Sequence, residues 1–279
     1  MSKIIKEIKM TFEPIFLMAS VICMLLLFGA GEAYVDNEMK SHSIIEVILF
    51  GCGSNRSRDI SSLVIFEKAF SGWIFVFTPL ILCFGFIYSF HSERETHYIR
   101  NILIRENNIP YSLLKAFSCA LYSGTICFLS YAVFAIICLL FLPSINEFVD
   151  NGSISAMYGS TGSFFIFRLI GAFFYGMFNG AVTFIIMSLF NDKYIIMTFP
   201  VMINYIYDIV ISKLVLKAFE NHDLHQMEII NTVNMHSLFT IRNNATWVYT
   251  VMIIIVLYLF GIIMMICNLR LRRDSGDYA

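Results

Sequence analysis

The stretch from His91 to Lys115, "HSERETHYIRNILIRENNIPYSLLK", lies between two long apolar runs, and its reading decides the fold. A connector between two apolar helices needs only a few polar residues. This one is long enough for a helix of its own and carries charge of both signs. It ends in Pro110 and Lys115, immediately before the chain turns apolar again.

The surrounding composition tells what the stretch connects. The chain has 279 residues, of which 58% are hydrophobic and 14% charged, with a mean hydropathy of +0.74. A soluble domain is about a quarter charged and could not hide this much apolar surface in one core. The formal net charge of −1 gives no basis for a nucleic-acid partner. Apolar runs of about 20 residues, each able to cross about 30 Å of hydrocarbon, recur along the chain. The expected fold class is all-α: a polytopic membrane protein forming a single transmembrane domain over residues 1–279.

Six spans are expected: Ile15 to Gly31, Ala69 to Phe90, Leu113 to Leu142, Phe164 to Phe190, Tyr194 to Ile211 and Thr246 to Cys267. Pro200, Asn204 and Asp208 interrupt the fifth, which is also short. Residues 212–245 form an extracellular region before the last span.

Orientation follows from Lys and Arg. One side holds Lys3, Lys6, Lys9, Arg94, Arg100, Arg105, Lys115, Lys193, Arg270, Arg272 and Arg273, whereas the loop from Pro143 to Ser163 holds none. Both termini are therefore expected in the cytoplasm of a multi-pass protein of the cell membrane. Of the seven cysteines only Cys52 falls in an outer loop, so no intrachain disulfide is expected.

Two segments read as helices lying along the membrane surface. In residues 1–13, Ile4, Ile5, Ile8 and Phe12 fall on one side of a helical wheel and Lys3, Lys6, Glu7 and Lys9 on the other. Such a helix rests in the interface with its lysines toward the lipid headgroups. In residues 92–109, Tyr98, Ile99, Ile102 and Leu103 form an apolar stripe flanked by Arg94, Asn101 and Arg105. Pro110 biases Ile109 away from the helical region, so it is expected to end this helix, leaving Lys115 at the membrane edge.

The quoted residues, "F-x-x-E-R-E-T" from Phe90 and "L-I-R-E-N-N-I-P-Y-S-L-L-K" to Lys115, resemble the segment after the second span of ABC-2 type permeases. These are the membrane subunits of ABC exporters. The whole layout is similar; the motif itself covers about 25 residues. "RETHY" departs from the many members that carry a Gly near Thr96. The resemblance implies a coupling helix that docks a cytoplasmic ABC ATPase subunit through Glu93, Arg94, Tyr98, Arg100, Ile102, Arg105 and Glu106. It also implies a second permease subunit, identical or related, and a translocation path between the two. Substrates of that family range over peptides, drugs, lipids and glycans; the spans carry no cluster of charge for a phosphorylated lipid-linked sugar, so a peptide is expected, in antimicrobial-peptide export or immunity. Drug or lipid export and a non-transporting membrane scaffold or sensor are the alternatives.

No GxxxxGKS or GxxxxGKT phosphate cradle occurs, so ATP and Mg are expected in the partner ATPase and no cofactor in this chain. No catalytic set is expected. "HDLHQME" places His222, His225 and Glu228 at i, i+3 and i+6, but the HExxH spacing of zinc proteases is absent and no metal site is expected. Intramembrane polar groups are costly and therefore informative. Counting from the 191–193 turn, Asn179 and Asn204 lie about 15 Å deep, near the midplane. Both are candidates for the translocation path, or for bonding one another. Gly176 and Gly180 form a GxxxG that admits a close helix neighbour. Arg168 and Asp208 differ by about 12 Å in depth and are not expected to pair. Arg168 is expected to snorkel outward.

Overall fold

The computed structural model describes residues 14–30, 32–35, 41–50, 61–68, 74–96, 107–144, 161–221 and 244–274, with short pieces at 225–226, 229–230 and 234. Within them the chain is nearly all helical: α1 Pro14–Ala30, α2 Ile44–Phe50, α3 Ser62–Lys68, α4 Ile74–Glu95, α5 Asn108–Phe141, α6 Thr161–Leu189, α7 Lys193–Glu220 and α8 Asn244–Asp274. The exception is a small antiparallel hairpin, β1 Glu32–Val35 with β2 Ser41–Ser43, in which Tyr34 pairs with His42. Four helices among the described residues are long and apolar enough to cross a membrane: Asn108–Phe141, Gly162–Leu189, Lys193–Glu220 and Val248–Leu271. Ile15–Gly29 is a shorter apolar helix. This is a membrane-embedded protein.

Helix α6 is the hub. It packs most extensively on α5 and then on α8, while α4 packs chiefly on α7 and α1 lies against α5 and α4. Small residues explain the centre. Ala172, Gly176 and Gly180 recur every four residues on α6, and the two glycines face Cys119, Ser123, Gly124 and Cys127 of α5. A Cβ on Gly176 would meet the Ser123 carbonyl oxygen at 2.5 Å and the Gly124 Cα at 2.9 Å. The two backbones touch. Without a hydrophobic driving force between helices in lipid, such close packing is what holds them together.

Fully buried aromatics fill the remaining space. Phe66 of α3 stacks on Phe134 of α5 and meets Phe164 and Phe165 of α6. Helix α3 is thereby seated on the bundle, with Leu63, Ile65 and Phe66 buried and the Ser62 amide donating to the Pro143 carbonyl at 3.0 Å. Helix α2 starts with a reciprocal cap: the Glu46 amide donates to Ser43 Oγ at 3.3 Å and the Ser43 amide to a Glu46 oxygen at 3.1 Å.

Three expectations change. Pro110 does not end a helix; it sits in the first turn of α5, where its missing N–H has no intrahelical partner to lose. The expected fifth span does not stop at Ile211, because α7 continues unbroken through Glu220. Pro200 is accommodated inside it. The interfacial helix of residues 1–13 and Cys52 lie outside the described residues.

Candidate functional site

The polar chemistry collects at one end of the bundle, where α4 ends, α5 begins and α6 turns into α7. Two consecutive residues of α4 organise it. Glu93 is buried, accepting from Lys115 Nζ of α5 at 2.6 Å and from the Tyr111 hydroxyl at 3.3 Å. Tyr111 and Lys115 are one helical turn apart, so both reach the same carboxylate. Lys115 is only 2% exposed; the expected membrane-edge lysine is instead half of a buried ion pair.

Arg94 reaches the other way. Its guanidinium donates to the carbonyls of Met187 at 3.0 Å and Phe190 at 2.9 Å, and to Asn191 Oδ1 at 2.9 Å. It also lies over the Phe90 ring, 4.3 Å from the centroid. The last carbonyls of a helix lack intrahelical donors and carry the negative end of its dipole, so a cation fits there. Asn268 of α8 donates to the neighbouring Ser188 carbonyl. The far side of the turn is capped as well, by Asp192, whose carboxylate accepts from the Tyr194 amide at 2.8 Å. One turn along α4, His91 pairs with the exposed Glu95 at 3.1 Å.

Both roots of the segment 97–106 are therefore fixed: the α4 side by Glu93 and Arg94, the α5 side by Tyr111 and Lys115. Of the seven residues assigned to coupling, Glu93 and Arg94 are turned into the bundle. Tyr98, Arg100, Ile102, Arg105 and Glu106 lie outside the described residues, as do His222 and Glu228.

A second polar group sits deeper, between α6 and α7. Tyr175, Asn179 and Asn204 are all buried. Asn204 does not bond Asn179: its Nδ2 donates to the Tyr175 hydroxyl at 3.2 Å. Asn179 Nδ2 donates back to the Tyr175 carbonyl at 3.0 Å, and Thr183 donates to the Asn179 carbonyl at 3.0 Å. Tyr175 is the joint between the two asparagines. The thiols of Cys83 and Cys119 point at the Asn179 and Gly180 carbonyls, at 3.8 and 3.4 Å. The Gly180 site itself is filled by Ser123 Oγ and the Tyr258 hydroxyl.

At the opposite end, Arg168 bonds Glu67 of α3 at 3.0 Å and lies 4.9 Å from the centroid of the Phe164 ring. Among the described residues, no three His, Cys, Asp or Glu side chains come together as a metal site.

Glu93 had a sequence signal for charge but none for its direction. Its partner Lys115 is 22 residues away, and only the fold brings them together. Tyr175 and Asn268 had no signal at all. Comparison with known proteins found no family model, no curated protein and no solved structure that matches this chain.

Proposed function

We propose that this chain is the permease subunit of an ABC-2 type exporter. In this reading α1 and α4 to α8 are six spans, residues 1–13 lie in the interface, and both termini and the 97–106 segment are cytoplasmic. A second permease subunit completes the path, and a separate cytoplasmic ATPase binds ATP and Mg. The chain itself is not an enzyme.

The observation that carries the reading is the fixing of both roots of the 97–106 segment. A loop that receives a push from an ATPase transmits it only if its ends cannot slip. A buried ion pair that ties the two roots together, and a guanidinium on the α4 root locked into the α6–α7 hairpin, give such ends. Glu93 and Arg94 then hold the lever. The docking charges are Arg100, Arg105 and Glu106, with Tyr98 and Ile102 as its apolar contacts. Charges of both signs over a docking surface set register and partner choice more than affinity. Asn179 and Asn204, joined by Tyr175, border the path at mid-depth, and the substrate is a peptide.

The large apolar faces left on α7 and α8 support a second subunit in addition to lipid: only 22% and 28% of their most apolar stretches are buried. Reversing Arg100 and Arg105 together to Glu tests the assignment. Co-purification of the ATPase and transport should both fall at least about tenfold, equivalent to 1.4 kcal/mol, with membrane yield unchanged. Unchanged ATPase binding and transport would remove the coupling role from these charges, whereas an unaltered chain that binds no ATPase and transports nothing would leave a membrane scaffold or sensor.

A further inference from the structure

Helix α7 carries a feature that the coupling end does not use. Along its half remote from the 191–193 turn, Asp208, Ile211, Ser212, Val215 and Phe219 recur at i, i+3, i+4, i+7 and i+11. That spacing puts them on one face. Together with Leu216 and Asn234, this face lines an open groove of about 460 Å³. Groove volumes of about 300–1,000 Å³ hold drug-sized ligands.

The chemistry of the lining is one-signed. Asp208 contributes a carboxylate, Ser212 a hydroxyl and Asn234 an amide; the other described residues that line the groove are apolar, and none of the described ones is Lys or Arg. Lys213 and Lys217 of the same helix are exposed and sit about 140° and 180° around the axis from Asp208. At 1.5 Å per residue, Asp208 lies about 22 Å along α7 from Lys193, within the roughly 30 Å of a bilayer core. A carboxylate at membrane depth is costly and marks function by default.

Charge and volume select the occupant. An anion would be repelled, and a wholly apolar ligand would desolvate the carboxylate without answering its charge. Three oxygen donors fall short of the six to eight that a bound calcium ion takes. A cation on an apolar body satisfies both halves. Its ammonium or guanidinium meets Asp208, a charge-assisted bond that is strongest where guanidinium and carboxylate meet as two forks. Its apolar part lies along Val215 and Leu216 toward Phe219, over a length of about 16 Å.

We propose that this groove binds an organic cation borne on an apolar body, supplied by a basic side chain of an amphipathic peptide or by a small lipophilic cation. As the substrate class of the exporter, this rests on the transport reading. As a binding site it is measured without the ATPase, so the two fail separately.

The full chain in zwitterionic phosphatidylcholine nanodiscs is titrated against a fluorescein-labelled Leu/Lys amphipathic peptide, with fluorescence anisotropy as readout. The expected result is saturable binding that the matched Leu/Glu peptide does not show. Asp208→Asn should weaken it at least about tenfold, and Asp208→Glu should restore it. Leu216→Trp, which fills the groove and keeps the carboxylate, should give the same loss and guards against a misfolded Asp208→Asn. Displacement by tetraphenylphosphonium assigns the site to small lipophilic cations as well; a peptide that binds saturably and resists displacement assigns it to peptides. Equal binding by the Leu/Glu peptide, equal affinity of Asp208→Asn, or no saturable binding overturns the proposal.

Discussion

Helices α6 and α7 are antiparallel neighbours of similar length and apolar character, joined by a turn of three residues, yet they live in different surroundings. In α6, 61% of the most apolar stretch is buried; in α7, 22%. The difference lies in residue size rather than hydrophobicity. Helix α6 carries Gly176 and Gly180 where α5 and α8 approach and buries Ala172 and Ala181 as well, whereas α7 has no Gly and a single Ala, Ala218. In lipid, where a bulky apolar side chain gains nothing from touching another helix rather than an acyl chain, small residues decide which helix becomes the centre.

The strongest way to break that account is to enlarge the small residues. Gly176→Leu should abolish recovery of monodisperse protein, because the new side chain meets the Ser123 and Gly124 backbone, which cannot rotate away. Ile206→Leu on the exposed face of α7 should change stability by no more than about 0.5 kcal/mol. Size-exclusion profiles and thermal melts of the two variants side by side decide the matter. A well-behaved Gly176→Leu would show that α5 and α6 are not in backbone contact.

Burial should decide the worth of charges too. Glu93→Gln leaves Lys115 buried without its counter-ion and should cost about 3–5 kcal/mol, read as a lowered melting temperature. Glu95→Gln, two residues on and exposed, removes a pair worth about 0–1 kcal/mol. The double variant Glu93→Leu/Lys115→Met should recover much of the first loss. Equal effects at the two glutamates would mean that Glu93 is in water.

A small effect is expected where Asn204 of α7 donates to the Tyr175 hydroxyl of α6. Asn204→Leu and Tyr175→Phe, singly and together, should give a coupling energy of about 0.6 kcal/mol in a double-mutant cycle. If Asn204 borders a transport path, the double variant with Asn179→Leu should also lower transport beyond what that small loss explains. Zero coupling would separate the side chains.

Much of this was legible in the sequence for identifiable reasons. The long apolar runs located the six principal helices within a few residues at most ends. Larger differences came at the near end of α5 and the far ends of α4, α7 and α8, where helices run past the limit that hydropathy detects, and at the near end of α4, whose described helix begins at Ile74. "SIIE" at residues 43–46 is a capping-box pattern that announces α2. The GxxxG of Gly176 and Gly180 marked a close approach without naming Ser123 as its partner. Directions were not legible. Nothing local distinguishes Glu93 and Arg94, which turn inward, from Glu95, which stays outside. Pro110 misled because the same ring that ends one helix can begin another, and only the caps around it tell which.

The end of α6 has a consequence in the time of synthesis. Its carbonyls are held by Arg94, made well before them, and by Asn268, made 80 residues after Ser188. At about 5–20 residues per second, the first clasp is at hand when α6 emerges, and the second arrives roughly 4–16 s later. During that interval α6 sits with one carbonyl uncovered and its α8 face open to lipid. The hub of the bundle is thus completed by a late helix, and a chain stalled before α8 presents its most crowded helix half-dressed to whatever else is being inserted nearby.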